Sequence, residues 1–135
     1  MSRGVLDTSV LIATDVTPIP GELAISVASV AELQFGVLVA KSPEARATRL
    51  ARLSAIQRRF DALPVDDAVA DSYARLAARV VAVGRQPRAR VMDLLIAATA
   101  HAHGAVLITS NVGDFAGLEG VLEVREPEHQ DRPRT

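Results

Sequence analysis

The chain alternates short apolar runs with longer amphipathic segments. Val5-Leu6, broken at Asp7, reads as the end of a buried strand, and Thr8 to Ala13 as a short helix entered from it. Pro18, Pro20 and Gly21 interrupt the chain before a second strand, Leu23 to Val27, and a helix with Val30, Leu33 and Val37 at helical spacing. Ser42-Pro43 supplies an N-cap followed by proline at the first helical position. It opens a helix to about Phe60 with Leu50, Leu53, Ile56 and Phe60 inward and Arg46, Arg49 and Arg52 on another face. Leu63-Pro64-Val65 reads as a brief strand or edge. Asp66 then caps a helix whose Val69, Tyr73, Leu76, Val80 and Val83 form one apolar stripe ending at Gly84. After the basic connection Gln86 to Arg90, the segment Val91 to His103 is helical and apolar nearly all round, and Gly104 stops it. Ala105 to Ile108 is a buried strand, Thr109 to Asp114 a loop, and Gly120 to Val124 a last strand.

Strands that alternate with helices imply an α/β fold with a parallel sheet wrapped in helices and right-handed crossovers. The chain has 135 residues, the usual size of one domain, which we place at residues 1–124. Residues 125–135 are polar, carry Pro127 and Pro133, and read as a tail.

Composition narrows the chemistry. The absence of cysteine excludes disulfides, zinc-thiolate sites, iron-sulfur clusters and thiol nucleophiles, and fits a reducing, cytoplasmic setting. Neither a signal-like segment nor an apolar run long enough to cross a bilayer is expected. The net charge of -1 is not that of a protein holding nucleic acid by bulk electrostatics, so charge placement matters more than its sum. Lys41 is the only lysine among 15 basic residues. Arginine suits bidentate phosphate contacts, although high-GC coding produces the same bias.

Ligands of an open parallel sheet gather beyond the carboxyl ends of its strands, and four acids fall at such positions. Asp7 follows the first strand, Glu32 lies in the first turn after the second, Asp93 opens the Val91 helix, and Asp114 follows the Ala105 strand. Gathering them without a counter-charge is costly. A divalent cation removes that cost, and hard oxygen ligands without His or Cys select Mg²⁺ or Mn²⁺. The fitting chemistry is phosphodiester hydrolysis. Each acid also has a plainer role: Ser29-Val30-Ala31-Glu32 reads as a capping box, Asp93 complements a helix dipole, and Asp114 suits an Asx-turn. Asp7 is hardest to explain away, since a carboxylate at a buried strand end needs a partner. Thr109, Ser110 and Asn111 could hydrogen-bond the carboxylates or a phosphate, with turn chemistry favoured for Ser110 and function for Asn111. Arg88 and Arg90 could hold RNA phosphates or form a solvated basic loop. His101 and His103, two apart on a helix, face different directions and suit no metal.

Val5-Leu6-Asp7-Thr8-Ser9-Val10-Leu11-Ile12, Ser29-Val30-Ala31-Glu32-Leu33 with Gly36, Asp93-Leu94-Leu95-Ile96-Ala97-Ala98-Thr99-Ala100, and Thr109-Ser110-Asn111 with Asp114-Phe115 together resemble PIN domains of the VapC toxin type. The resemblance runs from residue 4 to about 124. It implies a three-layer α/β/α domain with a parallel sheet of four to five strands, a Mg²⁺ or Mn²⁺ site and endoribonuclease activity on RNA. It also implies a homodimer and a cognate antitoxin partner, with no membrane. Asp7, Glu32, Asp93 and Asp114 become the catalytic quartet, with Asp7, Asp93 and Asp114 as metal ligands. Thr109 and Asn111 become supporting residues, and Ser9, Arg88 and Arg90 stand beside them as candidates for a substrate-binding or supporting role. Two features depart from the pattern: the Asp7 to Glu32 stretch is short, and Ser110 stands where many relatives have arginine. A phosphoacceptor module would need a lysine at the site, and a haloacid-dehalogenase-type phosphatase an acid where Ser9 stands. The competing reading is a non-catalytic module of the same fold that binds RNA or a partner.

Overall fold

The computed structural model describes residues 3–13 and 18–128. Four short strands, β1 (Arg3–Leu6), β2 (Glu22–Ala24), β3 (Val106–Ile108) and β4 (Val124–Arg125), form one sheet in the order β2-β1-β3-β4, every pair parallel. The chain passes from β1 to β2 on one side and later returns to β3 on the other. The order therefore reverses between β1 and β3, and a crevice opens there at the strands' carboxyl ends.

Alternation along the strands divides the core. Val5 and Leu107 point to one face, packed by α4 (Asp67–Ala82) and α5 (Val91–Ala102). Leu6 and Ile108 point to the other, with Val10 of α1 (Thr8–Leu11), Leu33 of α2 (Val27–Leu38), and Leu53 and Ile56 of α3 (Pro43–Arg59). The result is three layers, helices on both faces of the sheet. α5 is buried on nearly every side through Leu94, Ile96, Ala97, Ala98, Thr99 and Ala100, so its alanines let it lie close to sheet and α4. Glycines at positive φ end two helices as expected, Gly84 (82°) after α4 and Gly104 (61°) after α5.

Several boundaries differ from the sequence reading. The second strand stops at Ala24, because Ser26 takes the N-cap of α2 and accepts a hydrogen bond from the Ala28 amide. Ser29 is therefore inside the helix and buried, and the capping box at Ser29 to Glu32 does not form. Thr99 of α5 donates to Ser26 Oγ (3.2 Å) and Leu95 O (2.8 Å), tying the start of α2 to α5. Leu63 contributes a single bridge to Ser26 rather than a strand. Leu50 is 49% exposed and Val83 46%, so neither belongs to the core: the stripe of α3 ends with Leu53 and Ile56, that of α4 with Val80. The expected strand at Gly120 to Val124 is mostly turn, with Gly120 at φ 85°, and pairing begins only at Val124. Arg125 completes β4 and Pro127 is buried, while residues 129–135 of the polar tail lie outside the described residues. No helix among the described residues is long and apolar enough to cross a membrane.

Candidate active site

Strand register builds the site. Leu6 is paired with Ile108, so the residues that follow, Asp7 and Thr109, leave the sheet side by side, and the Asp7 amide donates to Ile108 O at 2.8 Å. Both side chains are buried at the point where the strand order reverses. A buried carboxylate needs donors, and three converge on Asp7 Oδ2: Ser9 Oγ (2.7 Å), Thr109 Oγ1 (2.9 Å) and the Ser9 amide (3.4 Å). Among the described residues no side chain or amide donates to Oδ1. The loop behind is fastened by the same hydroxyls, since the Ser110 amide donates to Ser9 Oγ and the Asn111 amide to Thr109 Oγ1, both at 3.0 Å. Asp7 is thus both the N-cap of α1 and the most buried acid of the crevice.

Glu32 arrives one helical turn into α2. Thr8 Oγ1 donates to its Oε1 at 2.6 Å and stands 3.0 Å from the buried Ser29 Oγ. Thr8 and Ser29 are positioning residues that sequence reasoning missed; the available signal was a hydroxyl directly after Asp7 at a helix start. Asp93 lies in the first turn of α5, and Asp114 in the 3₁₀ turn Val112–Phe115 after β3. Arg90 closes the preceding 3₁₀ turn, Pro87–Arg90, and reaches both acids: its Nη1 is 3.0 Å from Asp114 Oδ1 and 3.5 Å from Asp93 Oδ2.

The acids sense one another. Burial raises the Glu32 carboxyl above its ordinary 4.5; the Thr8 hydrogen bond opposes this, and Asp7 and Asp93 push it further up. Burial likewise raises Asp93 above 3.8, with Asp7 and Asp114 adding repulsion and Arg90 offsetting only part of it. The structure thus brings Asp7, Glu32, Asp93 and Asp114 around one crevice, with Ser9, Thr109 and Arg90 in contact with them. It leaves Arg88 and Asn111 exposed, without a side-chain bond to any of the four among the described residues. His101 Nδ1 pairs with Ser72 Oγ (2.8 Å) between α4 and α5, away from the acids.

The donor set is carboxylate and hydroxyl oxygen, with Asp7 and Asp93 mutually repulsive, and this fits a hard divalent cation. Among the described residues no three acid or histidine side chains are already closed into a cage. Arg90 occupies the space between two of them.

These shifts set the sign of a pH effect. A carboxyl raised on folding binds more protons in the native than in the unfolded chain, so its contribution to stability is present below the unfolded value and lost as pH rises through the folded one. Metal-free protein should therefore lose stability from Glu32 and Asp93 as pH climbs from 4.5 and 3.8 past their raised values. The double variant Glu32→Gln/Asp93→Asn should gain in melting temperature on the wild type across that window. A gap between the two that stays constant with pH would contradict the raised carboxyls, whose chief cause is burial.

Comparison with known proteins agrees with this architecture. Residues 4–119 match the PIN domain. Ribonuclease VapC5 of Mycobacterium tuberculosis is 43% identical over 91% of this chain and 93% of its own length; Ribonuclease VapC4 of the same organism is 37% identical over 88% and 93%. The crystal structure of VapBC-5 from Mycobacterium tuberculosis, a member of the VapBC family of toxin-antitoxin systems, superposes with a TM-score of 0.81. It is 40% identical over 95% of this chain and 99% of the other. The sheet, the acids at its reversal point and the extent of these matches lead to one assignment: the chain belongs to the PIN-domain family, among members of the VapC type.

Proposed function

We propose that this protein is a Mg²⁺- or Mn²⁺-dependent endoribonuclease and the toxin half of a toxin-antitoxin pair in the cytoplasm. The observation that carries the reading is the convergence of four acids from distant parts of the chain on the β1/β3 crevice, where Glu32 and Asp93 are both raised by burial and by neighbouring acids. Asp7, Asp93 and Asp114 would hold the cation, which supplies charge neutralisation at the phosphate and an activated water. Ser9 and Thr109 fix the Asp7 carboxylate, leaving Oδ1 for the ligand. Glu32, held at Oε1 by Thr8, takes a proton at Oε2, a role suited to a carboxyl raised from its usual range. Arg88 and Asn111, both exposed, would meet RNA phosphates.

A protein partner is supported by apolar surface at the far end of α2 and on α3, where Phe35 is 64% exposed, Leu38 73%, and Val39 and Leu50 49% each. An antitoxin, and a second copy of the chain in a homodimer, belong to this reading.

Purified protein with Mn²⁺ or Mg²⁺ is expected to cut structured RNA, to stop on chelation, and to resume when the cation is restored. Asp93→Asn should remove cutting with the fold intact by circular dichroism. Binding of RNA without cutting under every cation condition would favour the non-catalytic module instead.

A further inference from the structure

Arg90 differs from the other arginines of the structure. Arg46, Arg49, Arg79 and Arg85 spend their guanidinium groups on backbone carbonyls, and Arg75 pairs with Asp71 on its own helix. Among the described residues, Arg90 alone spans two acids of the crevice, Asp114 at 3.0 Å and Asp93 at 3.5 Å. Arg90 pairs locally with Asp93, three residues ahead, but its shorter contact, to Asp114, comes from a distant part of the chain. The residue precedes the first turn of α5 without capping it, at φ -135° and ψ 32°, and a cation at a helix N-terminus opposes the helix dipole. The carboxylates, not the helix, therefore hold the guanidinium there.

We propose that Arg90 is a built-in counter-ion that occupies the Asp93–Asp114 half of the crevice and must leave it before a divalent cation binds, so that guanidinium and cation exchange. This rests on the cation-dependent reading of the site. Two cations repel at one spot, and an oxygen facing the guanidinium does not offer the same lone pairs to a second ligand. The two halves of the site then differ. Asp7 and Glu32 are held by the neutral hydroxyls of Ser9, Thr109 and Thr8, which leave their charge for a cation. Asp93 and Asp114 are held by a charge that competes with it. The competition is mild, because the Arg90 and Asp114 side chains are each 38% exposed and solvent screens the pair.

The test is calorimetric titration with MnCl₂ in the absence of RNA, on folded full-length protein at one pH and low ionic strength. Arg90→Gln is expected to bind Mn²⁺ about 3- to 10-fold more tightly than wild type, the gain that follows from removing a weak competing state. Arg88→Gln, with the same charge change at an exposed neighbouring position, should stay within about 2-fold of wild type because solvent screens it. In an Asp114→Asn background the gain from Arg90→Gln should shrink, since the stronger of the two contacts is already weakened. An Arg90→Gln affinity equal to or weaker than wild type overturns the exchange and leaves the cation site standing, as does an equal gain from Arg88→Gln. Folded wild type and folded Arg90→Gln that both ignore Mn²⁺ would remove the cation site and the exchange together.

Discussion

Asp7→Asn should lower RNA cleavage by at least about 10²-fold, the scale on which loss of one preorganised electrostatic group acts. The substitution removes the charge of the most buried acid in the crevice while keeping its size. Asn can still present one oxygen to Ser9 and Thr109 and still cap α1, so the expected cost in stability is small, on the order of 1 kcal/mol or less. The two roles of Asp7 therefore separate experimentally. A cleavage assay at saturating Mn²⁺ reads the charge, and a thermal melt reads the cap. Loss of both in parallel would mean that Asp7 is chiefly structural, and unchanged cutting would move the chemistry elsewhere. Thr109→Val probes the same carboxylate from the other side. It deletes one of three donors to Oδ2, and an activity loss of about 10- to 100-fold matches the usual penalty for removing a group that orients a ligand.

What the sequence revealed of this site follows from how each residue is placed. Asp7 was legible because a charge at the end of an apolar strand has few innocent explanations, and strand register then brings Thr109 beside it. Glu32 was legible only in part. The Ser29 to Glu32 spacing mimics a capping box, but the helix begins at Val27 because Ser26 receives bonds from both Ala28 and Thr99, and the Thr99 partner lies 73 residues away. A local pattern cannot register a tertiary bond of that range. The same limit explains Thr8, whose hydroxyl reaches Glu32 across 24 residues, and Arg90, read from sequence as a loop cation or phosphate contact but found against Asp93 and Asp114. Periodicity gave the three long amphipathic or buried helices closely, yet it extended the inward stripe of α3 to Leu50, since spacing shows which side a residue faces and not where the neighbouring layer ends. The last strand was misplaced for a related reason: two residues paired to β3 leave almost no periodic signal.

Ile96→Ala should cost about 2–5 kcal/mol, as deletion of a fully buried aliphatic side chain does, and lower the melting temperature by roughly 8–20 °C. Ile96 is 0% exposed on the helix that carries Asp93. Its helical neighbours Ala97, Ala98 and Ala100 are buried too and have no reach with which to refill the space, so the cavity persists. Leu50→Ala is the matched control: a leucine 49% exposed at a position with the same apolar signature in sequence, for which a change within about 0.5 kcal/mol is expected. Together the two melts test whether the close seat of α5, rather than hydrophobicity in general, holds Asp93 at the crevice. At a temperature where Ile96→Ala remains folded, its carboxylates are all present, and RNA cutting should survive far better than in Asp7→Asn. A melting loss below about 3 °C would show that α5 is not anchored through this residue, and cleavage lost as completely as in Asp7→Asn would show that packing under α5 sets the geometry of the acids themselves.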